Sequence, residues 1–101
     1  MNSIITILDK SGAVYIGEYF GQSENGCLDI KNPAQIIFNV DNDNKDVEIT
    51  IFPVCFPEIL SDESRAEGCR WDYYEKNAKF IGTKVQLNER IISQYNKVFN
   101  N

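Results

Sequence analysis

A mostly β chain, folded as a small and strongly bent antiparallel barrel of five strands with one C-terminal helix, is predicted by three features of the sequence. β-branched and aromatic runs recur between clusters of turn formers from Ser3 to Phe52 and again from Ala78 to Leu87. Gly17 and Gly82 each interrupt a strong run, where glycine marks a bend or a close backbone approach. Helical spacing of apolar residues over a stretch of useful length occurs only after Asn88.

The first run, Ile4, Ile5, Ile7 and Leu8, stops at the turn cluster Asp9-Lys10-Ser11-Gly12, and Ala13–Phe20 follows directly, so the two form a hairpin. The second run places Val14, Ile16 and Phe20 on one face and Tyr15 and Tyr19 on the other. Apolar residues on both faces mean a strand covered on both sides. Gly21–Gly26 reads as a turn and Cys27–Lys31 as a short strand ended by Asn32-Pro33, because proline offers no N–H to a ladder. Gln35–Val40 and the stretch holding Val47, Ile49 and Ile51 alternate around a polar turn at Asp41–Lys45.

Pro57–Asn77 is a polar insert between the two strand blocks of a single domain, with little to bury until Trp71-Asp72-Tyr73-Tyr74, whose rings are expected to cover one end of the barrel. Phe80–Leu87 is the last expected strand. Asn88 is placed to cap the helix, Leu87 and Ile92 to staple it, and Ile91, Ile92, Tyr95, Val98 and Phe99 form its apolar stripe.

Composition bounds the function. A net charge of −5 disfavours a protein that coats nucleic acid by bulk electrostatics. The charge is unevenly spread, however, at −5 over residues 1–50 and +3 over residues 64–101, which leaves room for a locally basic face. Histidine is absent, which removes the commonest general base and metal ligand and points away from an enzyme. Three cysteines without C-x-x-C spacing indicate neither a disulfide framework nor a zinc site, and reduced thiols are expected. Asp62-Glu63 and the Asp41/Asp43 turn lack the spacing of a calcium loop. No cofactor is expected. The first ten residues lack a basic start and a long apolar run, and nothing approaches membrane-spanning length, so a cytoplasmic location is expected.

Val14-Tyr15-Ile16-Gly17-Glu18-Tyr19-Phe20, the turn after it and Leu28-Asp29-Ile30 resemble the first motif of Sm and LSm-type proteins. Phe80-Ile81-Gly82-Thr83-Lys84-Val85 is similar to the second motif, and Asn32-Pro33 resembles a feature of the Sm-like proteins encoded by phages, whose location would be the host cytoplasm. The resemblance spans somewhat under half the chain. It implies a homo-oligomeric ring of roughly five to seven copies that binds single-stranded nucleic acid, most naturally RNA, without catalysis. Gln22, Ser23, Asn25, Gly82, Thr83 and Lys84 are the implied contacts. The chain departs from the family pattern in lacking a loop aromatic at Ser23-Glu24-Asn25 and an arginine before Gly82, and in placing its helix last. The alternative is a structural or protein-interaction ring using Trp71, Tyr73, Tyr74 or the helix.

Overall fold

A computed structural model of the chain describes residues 3–40, 43, 47–54, 59–82 and 87–99. Six strands form one antiparallel sheet: β1 (Ile4–Asp9), β2 (Val14–Gln22), β3 (Cys27–Val40), β4 (Val47–Pro53), β5 (Arg70–Tyr74) and β6 (Ala78–Gly82). A short helix α1 (Asp62–Glu67) precedes β5, a single 3₁₀ turn at Glu75–Asn77 joins β5 to β6, and helix α2 (Glu89–Phe99) follows. Five strands run in the order β4-β3-β2-β1-β6, with β5 paired to β3 off that path. Among the described residues no ladder joins β4 to β6, so the sheet is open rather than a closed five-stranded barrel.

β3 is the element that the sequence divides in two and the structure keeps whole. Asn32 takes a left-handed backbone conformation with φ of 52°, one that asparagine tolerates better than other residues bearing a side chain. The strand therefore bends there without ending. Its first half pairs with β5 from Cys27↔Tyr74 to Lys31↔Arg70, and its second half pairs with β4 from Ala34↔Pro53 to Val40↔Val47. β2 lies along both halves, with one register shift opposite the bend and a second between Tyr19 and Gln22.

The two faces of β1 and β2 enter two different cores. Ile5 and Ile7 pack with Leu28, Ile30 and Tyr73, joined by Tyr15, Tyr19, Trp71 and Ile81. Ile16, Ala34, Ile36 and Ile51 pack under Tyr95 of α2, joined by Ile4, Leu87, Ile91 and Phe99. The expectation that β2 is covered on both sides is met, by the curled β3–β5 layer on one face and by the helix on the other.

The insert holds more structure than a surface loop. Ser61 caps α1 by accepting a hydrogen bond from the Ser64 N–H at 3.2 Å, with Asp62 and Glu63 in the first turn where the helix dipole favours them. Arg70, Asp72 and Tyr74 then alternate with Trp71 and Tyr73, which suits a strand with one wet face. Tyr73 reaches the core as a covering aromatic, with Trp71 edge-on at 5.0 Å between ring centres. Cys69 is disulfide-bonded and Cys27 is a free thiol, which corrects the expectation of uniformly reduced cysteines; Cys55 lies outside the described residues. So do Asp41, Asn42, Asn44 and Lys45 of the expected polar turn, and residues 83–86 of the expected last strand.

α2 begins where predicted. Asn88 Oδ1 accepts from the Arg90 N–H at 2.8 Å, satisfying one of the orphan amides of the first turn. The helix also touches the sheet's rim, because Gln94 donates to the Ile49 carbonyl at 2.7 Å. Val54 N–H donates to the Pro33 carbonyl on β3 at 2.9 Å, and backbone groups alternate in direction along a strand, so Ile49, Ile51 and Pro53 present theirs outward. One outward carbonyl is thus occupied by Gln94 and one outward N–H is missing at Pro53. The β4 edge is partly blunted.

Gly17 shows why the bend demands glycine. A methyl group there would overlap the Ile30 Cγ2 methyl and stand 3.3 Å from the Lys31 carbonyl oxygen. Gly17→Ala is expected to cost about 1–3 kcal/mol through overpacking against β3, read as a lower midpoint in urea unfolding with an unchanged slope; an unchanged midpoint would show that β3 yields freely at the bend.

Candidate nucleic-acid interface

Three turns are tied together by backbone hydrogen bonds, the β1–β2 and β2–β3 turns standing at opposite ends of β2 and the 3₁₀ turn reaching both. The Asp9–Ala13 turn is closed by the Asp9 N–H donating to the Ala13 carbonyl at 2.8 Å, with Gly12 at φ of 96°. The Ser23–Cys27 turn is closed twice, by the Ser23 N–H to the Cys27 carbonyl at 2.8 Å and by the Cys27 N–H to Ser23 Oγ at 3.2 Å. The 3₁₀ turn ties the other two together: the Glu75 N–H donates to the Gly26 carbonyl at 3.0 Å, and the Asn77 carbonyl accepts from the Lys10 N–H at 2.8 Å. Asn25, Lys10, Lys76 and Asn77 are all exposed here. The Tyr74 ring and the Glu75 carboxylate lie closest to the side on which Gly26 has no Cβ.

Asp9 is the anchor of the β1–β2 turn. Its carboxylate accepts from the Tyr73 hydroxyl and, at 2.9 Å, from the Ser11 N–H. These bonds, Tyr73's foremost, hold the Asp9 carboxyl below the ordinary carboxylate range. Burial and the Asp9 carboxylate push the Tyr73 phenol well above its ordinary value, so it stays a donor at any physiological pH.

Of the residues implied by sequence, Gln22, Ser23 and Asn25 fall on or beside one turn, with Ser23 shaping it and Asn25 displayed at its tip. Gly82 is elsewhere. It is buried opposite Thr6 at the far end of β6, four residues and so about 13 Å of strand from Ala78, which adjoins Asp9. Thr83 and Lys84 lie outside the described residues. The turn that joins Asn25 is Glu75–Asn77, which brings Lys76 and Asn77, not singled out in the sequence, beside it, together with Tyr74, expected there as a covering or partner-binding aromatic. The alternation of Arg70, Asp72 and Tyr74 against Trp71 and Tyr73 was the available signal, since it marks a strand that returns the chain to this turn.

No group of metal-ligating side chains is found among the described residues. No protein-family model matches the chain, and no curated protein matches it.

The Tyr73–Asp9 bond gives a pH test. A carboxyl whose folded pKa is depressed contributes stability above its unfolded pKa and loses that contribution as pH falls through the folded value. Tyr73→Phe is expected to return the Asp9 titration midpoint upward toward 3.8, read by carbon-detected NMR of the carboxyl group. An unmoved midpoint would assign the depression to Ser11 and Lys10.

Proposed function

We infer that the chain is an Sm-like, self-associating β protein that binds single-stranded nucleic acid, RNA first, at the surface about the 3₁₀ turn, and does no chemistry there. The observation that carries this reading is the gathering of exposed Asn25, Lys10, Lys76, Asn77 and Tyr74 about the 3₁₀ turn, from turns far apart in sequence. Amides serve base edges, lysines serve phosphates and an open ring serves stacking, which is the chemistry of a single-stranded ligand. Each copy offers few cations, so useful affinity follows from repetition around a ring.

Self-association has its own support. The two ends of the ladder path each show an aromatic side chain to solvent, Phe52 at 50% exposure on β4 and Phe80 at 57% on β6. Phe38 and Val40 continue the apolar face of β3 past the reach of α2 and are also exposed. Burying these residues against another copy removes them from water. Because Gln94 and Pro53 blunt β4, such an assembly relies on these side chains and on the Ile51 segment rather than on a full added strand. A second reading, a protein-binding ring without nucleic acid, is favoured by the net charge of −5 together with the same apolar residues.

Native mass spectrometry is expected to give a closed oligomer of roughly five to seven copies; a monomer would remove both the ring and the avidity. Fluorescence anisotropy with oligo-uridine and oligo-adenosine is expected to show binding that weakens with salt, and Lys76→Glu to flatten the log–log salt slope by about 0.7 for each copy that the strand engages, the value for one phosphate contact on a single strand. Equal slopes would take Lys76 out of the interface.

A further inference from the structure

Exposed aliphatic side chains are confined to part of the described surface. Ile37 and Val40 stand on the β3–β4 hairpin beside Phe38 and Phe52, Val54 just past the end of β4, and Ile59 apart from them. The outer face of the β2–β3–β5 layer is different. It carries Phe20, at 38% exposure, and Tyr74, at 40%, with Arg70, Asp29 and Asp72 and no exposed aliphatic side chain.

Arg70 is the organising group of that face. Its guanidinium carbon lies 4.1 Å from the centre of the Phe20 ring, within the range of a cation–π contact. Asp29 grips the same guanidinium through two hydrogen bonds, from Nε at 2.9 Å and from Nη2. A bidentate grip fixes the orientation of the plane as well as its position. The Arg70 side chain is still 48% exposed. Tyr74 stands four residues along β5 on the same face, about 13 Å away, where its strand runs into the 3₁₀ turn.

We propose that this face is a stacking platform for the bases of a single-stranded nucleic acid, with one base laid on the Arg70 guanidinium backed by Phe20 and another on the Tyr74 ring. The proposal rests on the nucleic-acid reading above and names the surface on which the strand lies. A protein-docking core is depleted of charged side chains, and this face carries Asp29 and Asp72 among its rings. Base stacking needs only flat groups with an open side, and it accepts any base. Asp29 is already spent on Arg70, and Asp72 and Glu18 stand close enough to act on the same guanidinium. Acids outnumber cations on this face, Glu18, Asp29 and Asp72 against Arg70 and Lys31, so the strand meets it bases first.

The test is oligonucleotide anisotropy with the full chain and the variants Phe20→Ala, Tyr74→Ala, Arg70→Ala and Arg70→Lys, each checked for an unchanged circular dichroism spectrum. Loss of one stacked base is expected to weaken binding roughly 5- to 150-fold, for oligo-uridine and oligo-adenosine alike. Arg70→Lys keeps the charge and discards the plane, so it is expected to lose as much as Arg70→Ala, with the salt slope unmoved. Wild-type binding with unaltered affinity in Phe20→Ala and Tyr74→Ala would overturn the platform and leave the nucleic-acid reading standing. Rescue by Arg70→Lys would also overturn it, by making Arg70 a phosphate contact. A wild-type protein that binds no oligonucleotide would end both.

Discussion

The left-handed turn of the backbone at Asn32 is the constraint on which the other parts of this molecule depend. Its N–H donates to the Cys69 carbonyl at 2.7 Å, its side-chain oxygen accepts from the Cys69 N–H at 3.1 Å, and its own carbonyl accepts from the Tyr95 hydroxyl at 2.7 Å. One residue thus binds β3, the start of the β5 segment and the C-terminal helix together. The buried Tyr95 keeps its proton, since burial raises its pKa, and so remains a donor to that carbonyl. Gly17 beneath the bend and Gly68 beside it mark where neighbouring chains must come close; a methyl group on Gly68 would stand 3.0 Å from Asn32 Oδ1.

From that bend follows the division of the molecule into two cores that share one sheet. β3 belongs to both, its first half above Ile5 and Ile7 and its second half beneath Tyr95. The same division sets the exterior. Where β3 pairs with β5, the outward positions carry charged and aromatic groups; where it pairs with β4, they include exposed aliphatic ones. A single strand thereby presents two surfaces suited to different partners, with the bend as the border between them.

Local pattern made part of this legible. The β1–β2 hairpin, the double-sided burial of β2, the close approach at Gly17 and the Asn88 cap could all be read from residues within a few positions of one another. The continuity of β3 could not. Asn-Pro reads as a strand end, and only a partner from residues 47–53 on one side and from residues 70–74 on the other lets the strand run through it. β5 was hidden for the same reason, because its pairing partner lies about forty positions away. The candidate site divides in like manner. Gln22, Ser23 and Asn25 share a turn that composition announces, whereas Lys76 and Asn77 join them only through the long-range Glu75–Gly26 bond. The expected second motif fell on Gly82, which the strand carries away from those residues.

The long reach of these ties has a consequence for how the chain acquires its shape. β1, β2 and β3 are neighbours in sequence and can form a meander early, since closing short loops costs little entropy. The Asn32 turn then has none of its three hydrogen-bond partners, for Cys69 and Tyr95 are 37 and 63 positions further on. An unsupported left-handed asparagine is a minor conformer, so the meander spends its early life straighter than in the finished molecule. Bending awaits the arrival of β5 and α2. Late, non-local docking is therefore expected to govern folding and to make it slow for a chain of this length.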